Sequence, residues 1–154
     1  MAKASDVYRL FLKHLDEHDF KYEKNDADFV IKMTVQGEDL PQPTAIHVIE
    51  KANAVLVRSP MPFSVPENKR TDMAVAITIV NYGMINGGFE MDLSDGELTY
   101  KIAHVLFDDD FSEKTIEYML ALTFGATDSF NDKFFGLAMG MMTLEQFVEK
   151  VQTA

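Results

Sequence analysis

The spacing of apolar residues changes near Phe29, and that change limits the chain more than any single motif. Upstream, Val7, Phe11, Leu15 and His18 recur at three- and four-residue steps and share one face of a helix over about Asp6 to His18, with Ser5 placed to cap it. Downstream, Phe29, Ile31, Met33 and Val35 alternate with Val30, Lys32 and Thr34, which is strand spacing. Gly37 and the Pro41 and Pro43 pair then make a loop. Ala45 to Lys51 and Ala54 to Ser59 follow as a hairpin about Ala52-Asn53, rich in Ile and Val. Apolar side chains fall on both faces of this hairpin, so it needs two covers: helices on one side, and something else, such as a second copy of the chain, on the other.

A second helix is expected after the prolines at 60, 62 and 66. Ser64-Val-Pro-Glu67 reads as a capping box with proline in the first turn, and Met73, Ile77, Val80 and Met84 give the helix a buried face. The β-branched Val75, Ile77, Ile79 and Val80 compete for a strand, but the cap and the length favour helix. The next stretch, NYGMINGGFEMDLSDG from Asn81 to Gly96, carries four of the eight glycines. A phosphate loop runs from strand to helix and carries a Lys. Here a helix enters, a strand leaves, and no Lys or Arg lies between Asn81 and Lys101. Gly83 suits a helix end at positive φ, and Gly87-Gly88 the approach to a strand. A two-residue turn at Asp95-Gly96 would pair Leu93 with Leu98, Met91 with Tyr100 and Phe89 with Ile102, and would set Glu90 against Lys101. Beyond the acidic run Asp108-Asp109-Asp110, Ser112 opens a helix to about Phe124. Asp128 to Met142 continues in helical spacing, and Thr143 with Gln146 caps a last short helix ending near Val151.

Composition narrows the function classes. The 154 residues suit one domain, residues 1–154, able to bury roughly 70% of its unfolded surface. A net charge of -11 repels nucleic acid and anionic membrane alike. No apolar window approaches the ~20 residues that span a bilayer. Asp6, Arg9 and Lys13 interrupt any secretory core, so the cytoplasm is the expected location. The absence of cysteine removes disulfides, thiolate nucleophiles and cysteine metal sites.

Little in the chain suggests catalysis. His14-Leu-Asp-Glu-His18 matches the three fixed letters of the inverted zincin pattern, but supplies no third ligand and points Glu17 away from His14. Asp108 to Asp110, and likewise Asp92 and Asp95, lack the spacing of an EF-hand loop. His47 and His104 fall in strands with no serine or carboxylate at a telling distance. No cofactor and no catalytic residue is implied. Met73, Ile77, Ile79, Met84, Phe134, Met141 and Met142 are instead the candidate interaction surface, because flexible thioethers and aromatic rings repack around varied partners. Gly136 and Gly140, four apart on the helix predicted over Asp128 to Met142, would let another backbone approach closely.

The order helix, three strands, helix, two strands and helical tail, with the segments VPENKRTDMAVAITIVN, GGFEMDLSDGELTYK and FSEKTIEYML, resembles the YbjN-like family over about Val7 to Val151. That family shares the fold of the type III secretion chaperones, including the Tir chaperone. The resemblance implies an α+β domain with an antiparallel sheet of about five strands, order α-βββ-α-ββ-α(α), often paired as a homodimer. Secretion chaperones bind extended segments of effector proteins on apolar patches, and YbjN-like proteins are described as proposed sensory transduction regulators. The expectation is a non-enzymatic module that binds another polypeptide. A metal- or small-molecule-binding regulatory domain using His14 and His18 is the alternative.

Overall fold

Alternating apolar residues need a sheet, and apolar residues at helical spacing need that sheet to lean on. The computed structural model describes residues 3–107 and 111–152 and supplies both. Helix α1 (Ala4–Glu17) leads to β1 (Glu23–Asn25), β2 (Val30–Gln36), β3 (Pro41–Ile49) and β4 (Ala54–Ser64). Helix α2 (Arg70–Tyr82) precedes β5 (Gly88–Met91) and β6 (Glu97–Val105), and α3 (Glu113–Ala138) and α4 (Leu144–Gln152) follow. The strands form one antiparallel sheet in the order β1-β2-β3-β4-β6-β5. This is the expected α+β architecture with one strand more. β1 was invisible to pattern because Glu23, Lys24 and Asn25 are all exposed. The Asp108 to Asp110 run lies outside the described residues.

One face of the sheet is the core. Register aligns Ile31, Ile46, Val57 and Ile102 in one row, and Met33, Thr44, Ser59, Tyr100 and Phe89 in the next, all of them buried. Helices cover these rows with Val7, Phe11 and Leu15 of α1, Met73, Ile77 and Val80 of α2, and Ile116, Leu120 and Phe134 of α3, in one continuous apolar cluster. Phe89 stacks edge-on against both Tyr100 and Phe134, with ring centroids 5.4 and 4.9 Å away. Tyr8 is anchored at the rim: its hydroxyl donates to Asp26 at 2.7 Å, and burial with that bond pushes its pKa up to about 12.

Several local expectations are corrected. Lys3, not Ser5, precedes α1, and its backbone carbonyl accepts from Asp6 and Val7. Ser64 caps no helix: its hydroxyl donates to the Asp95 carbonyl, and a single 3-10 turn at Glu67–Lys69 precedes α2. Phe29 lies just outside β2 at φ 54°, although its ring still packs on Tyr8 at 5.1 Å. Pro41 and Pro43 belong to β3 rather than to a loop. The two helices expected between Ser112 and Met142 are one, α3, of 26 residues. Gly125 does not break it, because its side faces open space and the turns on either side bury Thr123 and Thr127. A mid-helix glycine costs only about 1 kcal/mol. The Thr143 and Gln146 box before α4 is formed, each side chain meeting the other's backbone N–H at 3.2 and 2.9 Å.

The β5–β6 hairpin keeps its faces but not its turn. Phe89 pairs with Tyr100 and Met91 with Leu98, so the register lies two residues from the expected one and Leu93 is out in solvent. An even shift preserves which side chains point inward. Asp92 selects the longer loop: its carboxylate accepts from both the backbone N–H and the hydroxyl of Ser94, at 2.8 and 2.6 Å. Gly96 then turns at φ 79° beneath Val65, where any Cβ would strike the Val65 carbonyl. Gly83, by contrast, ends α2 at φ -87°, and the positive φ falls on Gly87 instead.

Candidate interaction surface

The second face of the sheet has no covering layer among the described residues. Val30, His47, Leu56 and Ala103 form its central row, and Ile49, Ala54 and Val105 extend the apolar strip to one end. Val30, His47, Ile49, Ala54 and Leu56 are half-buried, while Ala103 and Val105 are exposed. The next row is polar: Lys32, Ala45, Arg58 and Lys101. Glu90 lies across it, accepting from Arg58 at 3.1 Å and from Lys101 at 2.7 Å. The expected Glu90 and Lys101 pair is therefore present, but diagonally, because Thr99 is the residue directly opposite Glu90.

Prolines shape this face. The β3–β4 ladder runs from Ile49 and Ala54 to Ala45 and Arg58, and extending it two pairs sets Pro43 against Pro60. Neither has an N–H to give, so the two strands cannot bond there. Ser59 makes up part of the loss by donating its hydroxyl to the Pro43 carbonyl at 2.7 Å. A shallow depression of about 660 Å³ sits at this point, lined by Tyr22, Lys32, Thr34, Pro43, Ala45 and Pro60.

A second apolar surface runs along the outside of α2. Val75 (44% exposed), the half-buried Ile79 and Tyr82 (95% exposed) lie at steps of four and three, hence on one stripe. Ile85, 98% exposed, continues it into the following loop. Beside Ile85 a groove of about 370 Å³ runs onto α3, lined by Met84, Tyr118, Leu122 and Ala126. The stripe is held to the sheet by Asn81, whose side chain donates to the Phe89 carbonyl and accepts from the Phe89 N–H, both at 2.8 Å. That pairing occupies the outer edge of β5 as another strand would.

These surfaces redistribute the seven residues expected to make contact. Met73, Ile77 and Phe134 are core residues and offer no surface in a single chain. Ile79 and Met84 lie on or beside the α2 stripe, and Met141, 72% exposed, projects elsewhere with the half-buried Met142. Helix α3 stops at Ala138, and Gly140 turns the chain at φ 74°. The room beside Gly136 is filled by the Met142 side chain rather than by a second backbone. Pattern missed Val75, Tyr82 and Ile85. The signal was the same four- and three-residue spacing, read there for the inward side only.

The histidines divide. His47 lies on the open face, and His104 on the covered one, its ring 5.5 Å from Phe111. His14 is buried and His18 exposed, with ring centroids 4.2 Å apart. Burial, and then the nearby His18, hold the His14 pKa below its ordinary value. Glu17, the base of the inverted zincin pattern, instead meets Lys13 at 3.7 Å. No described helix is long and apolar enough to cross a membrane.

The fold, more than any one residue, has known counterparts. A chain of the ExsC–ExsE complex superposes with a TM-score of 0.62 at 11% identity, covering 86% of this chain and 96% of its own length. A chain of the HopA1–SchA chaperone–effector complex gives 0.57 at 10% identity, covering 86% and 99%. This is the type III secretion chaperone fold. YbjN from E. coli shares it, with a TM-score of 0.58 at 10% identity over 79% of this chain and 86% of its own. No protein-family model and no curated protein matches the sequence.

Proposed function

We propose that this chain is a non-enzymatic polypeptide-binding module, chaperone-like or regulatory, which holds an extended segment of another protein on the open face of its sheet and pairs with a second copy through α2. The observation that carries the reading is the strip Val30, Leu56, Ala54 and Val105, which no described residue layer covers, on a sheet whose other face packs against helices. Such a strip is a contact surface in search of a second layer. Solved structures of the same fold include a chaperone–effector complex, which supports a protein partner. The depression at Pro43 and Pro60, and the ion-paired row beside the strip, give an extended segment both shape and charge to read.

Amine crosslinking with mass spectrometry in the native host tests this reading directly. Lys32 and Lys101 stand on the open face, whereas Lys114, Lys133 and Lys150 belong to α3 and α4. Crosslinks to a foreign polypeptide should come from Lys32 and Lys101. A partner tied only to the helical lysines would overturn the proposal.

A further inference from the structure

Two packed helices each present a pair of potential metal ligands four residues apart. Helix α1 carries His14 and His18, and the first turns of α3 carry Glu113 and Glu117. Side chains four apart lie on one helix face, so each pair can converge on a common point. One nitrogen of each histidine and one carboxylate oxygen of Glu117 lie within 4.8 Å of one another. An ion at the centre of three such atoms sits at most about 2.8 Å from each, and small side-chain rotations would close that to the roughly 2.0–2.2 Å of Zn–N and Zn–O bonds.

The hydrogen bonding leaves these groups available. His18 Nδ1 lies 2.8 Å from the His14 carbonyl, and a carbonyl can only accept, so Nδ1 carries the proton. The Nε2 lone pair of His18 is thereby left for a ligand, the arrangement in which metal-bound histidines are held. His14 is 4% exposed, and its Nδ1 has no hydrogen-bond partner among the described residues. The same holds for the buried Glu113 Oε1, whose charge bears on His14. Buried polar atoms are ordinarily satisfied, so two orphans at one seam call for an occupant.

We infer that His14, His18 and Glu117 form a site for a divalent transition metal of the zinc class, with Glu113 beside it, that ties α1 to α3. Imidazole nitrogen with carboxylate oxygen selects Zn²⁺, Co²⁺ or Ni²⁺ over Ca²⁺ and Mg²⁺. His18 and Glu117 are exposed, so an ion reaches the site from solvent without unfolding the chain. The sequence motif alone could not supply the third ligand, because Glu117 is nearly a hundred residues away. The site is at the α1–α3 seam on the covered side of the sheet, so it neither uses nor blocks the open face proposed for polypeptide binding.

The test uses full-length, tag-free protein stripped with a chelator and titrated with Zn²⁺ alone, followed by calorimetry and by the visible bands of Co²⁺ in its place. One Zn²⁺ per chain is expected, with a rise in Tm of roughly 5–10 °C when the free metal stands at a hundred times Kd. His18→Ala should abolish stoichiometric binding, and Glu117→Gln should weaken it tenfold or more and remove the Tm rise. Both positions are exposed, so both variants keep the fold. His14→Ala is left aside because its burial confounds stability with ligation. Stoichiometric binding that Glu117→Gln leaves unchanged would reduce the site to an adventitious histidine pair and overturn the inference, as would no binding in the wild type. Neither result touches the polypeptide-binding reading, which Lys32 and Lys101 crosslinks decide separately.

Discussion

The outer stripe of α2 and the open face of the sheet both leave apolar side chains in water, yet they are built differently. The stripe belongs to an uncharged stretch: between Asp72 and Glu90 there is no Asp, Glu, Lys, Arg or His, in a protein with 39 charged side chains (14 Lys and Arg plus 25 Asp and Glu). The sheet face mixes Leu56 and Val30 with Arg58, Lys101, Lys32 and Glu90. Cores of self-association surfaces are depleted in charge, while surfaces that choose among partners keep ionic groups to set register. The difference fits the two occupants proposed above, a second copy on α2 and a foreign segment on the sheet.

The largest expected effects separate those occupants. Ile79→Asp puts a carboxylate in the centre of the stripe and should shift sizing chromatography from two-chain to one-chain mass, with unchanged far-UV circular dichroism. Unaltered elution and partner pull-down, with folding intact, would remove α2 from the account. Leu56→Asp should do the reverse, weakening capture of the crosslinked partner tenfold or more while leaving the oligomeric mass as it was. If Leu56→Asp also lowered the mass to that of one chain, the two surfaces would be a single interface.

Smaller effects concern how each surface is held. Asn81→Ala frees both backbone groups of Phe89, and should lower stability by about 1–3 kcal/mol in denaturant titration. Glu90→Gln leaves Arg58 and Lys101 without their shared anion; because all three are substantially exposed, the loss should be under about 1 kcal/mol and shrink further in high salt. The smallest effect is in acid. The Ser94 hydroxyl and N–H hold Asp92 below the usual carboxylate value of 3.8, so its contribution is full above that pH and is lost as pH falls through the lower folded value. Ser94→Ala should lower the neutral plateau slightly and flatten that part of the acid unfolding curve, with no change once the carboxyl is protonated.

Much of the fold was legible because the apolar period is a direct record of burial. Val7, Phe11 and Leu15 marked α1, and Ile31 and Met33 marked β2, because each packs where its spacing says. The hairpin of β3 and β4, apolar on both faces, has helices on one face only among the described residues. Local chemistry was harder to read. The Asp95-Gly96 turn lost to the hydrogen bonds of Asp92, a choice of loop that alternation cannot see, since registers two apart bury the same side chains. β1 escaped because a charged edge strand has no apolar period. Of the seven contact candidates, Met73, Ile77 and Phe134 were selected for being apolar at helical spacing, which is the signature of core as much as of contact. Glu117 could not be found from His14 and His18, because only the packing of α3 on α1 brings it there.

The pairing of Asn81 with Phe89 also bears on how the sheet ends. A sheet offers two edges along which copies can add end to end, and here one is already occupied by an amide side chain from α2. The other edge is β1, three residues long and bearing Glu23 and Lys24. Short, charged edges resist the in-register stacking that seeds fibrils. A chain that keeps a broad apolar face open thus places an amide-paired residue at one edge of its sheet and a short charged strand along part of the other, and both oppose its lengthening into a polymer of itself.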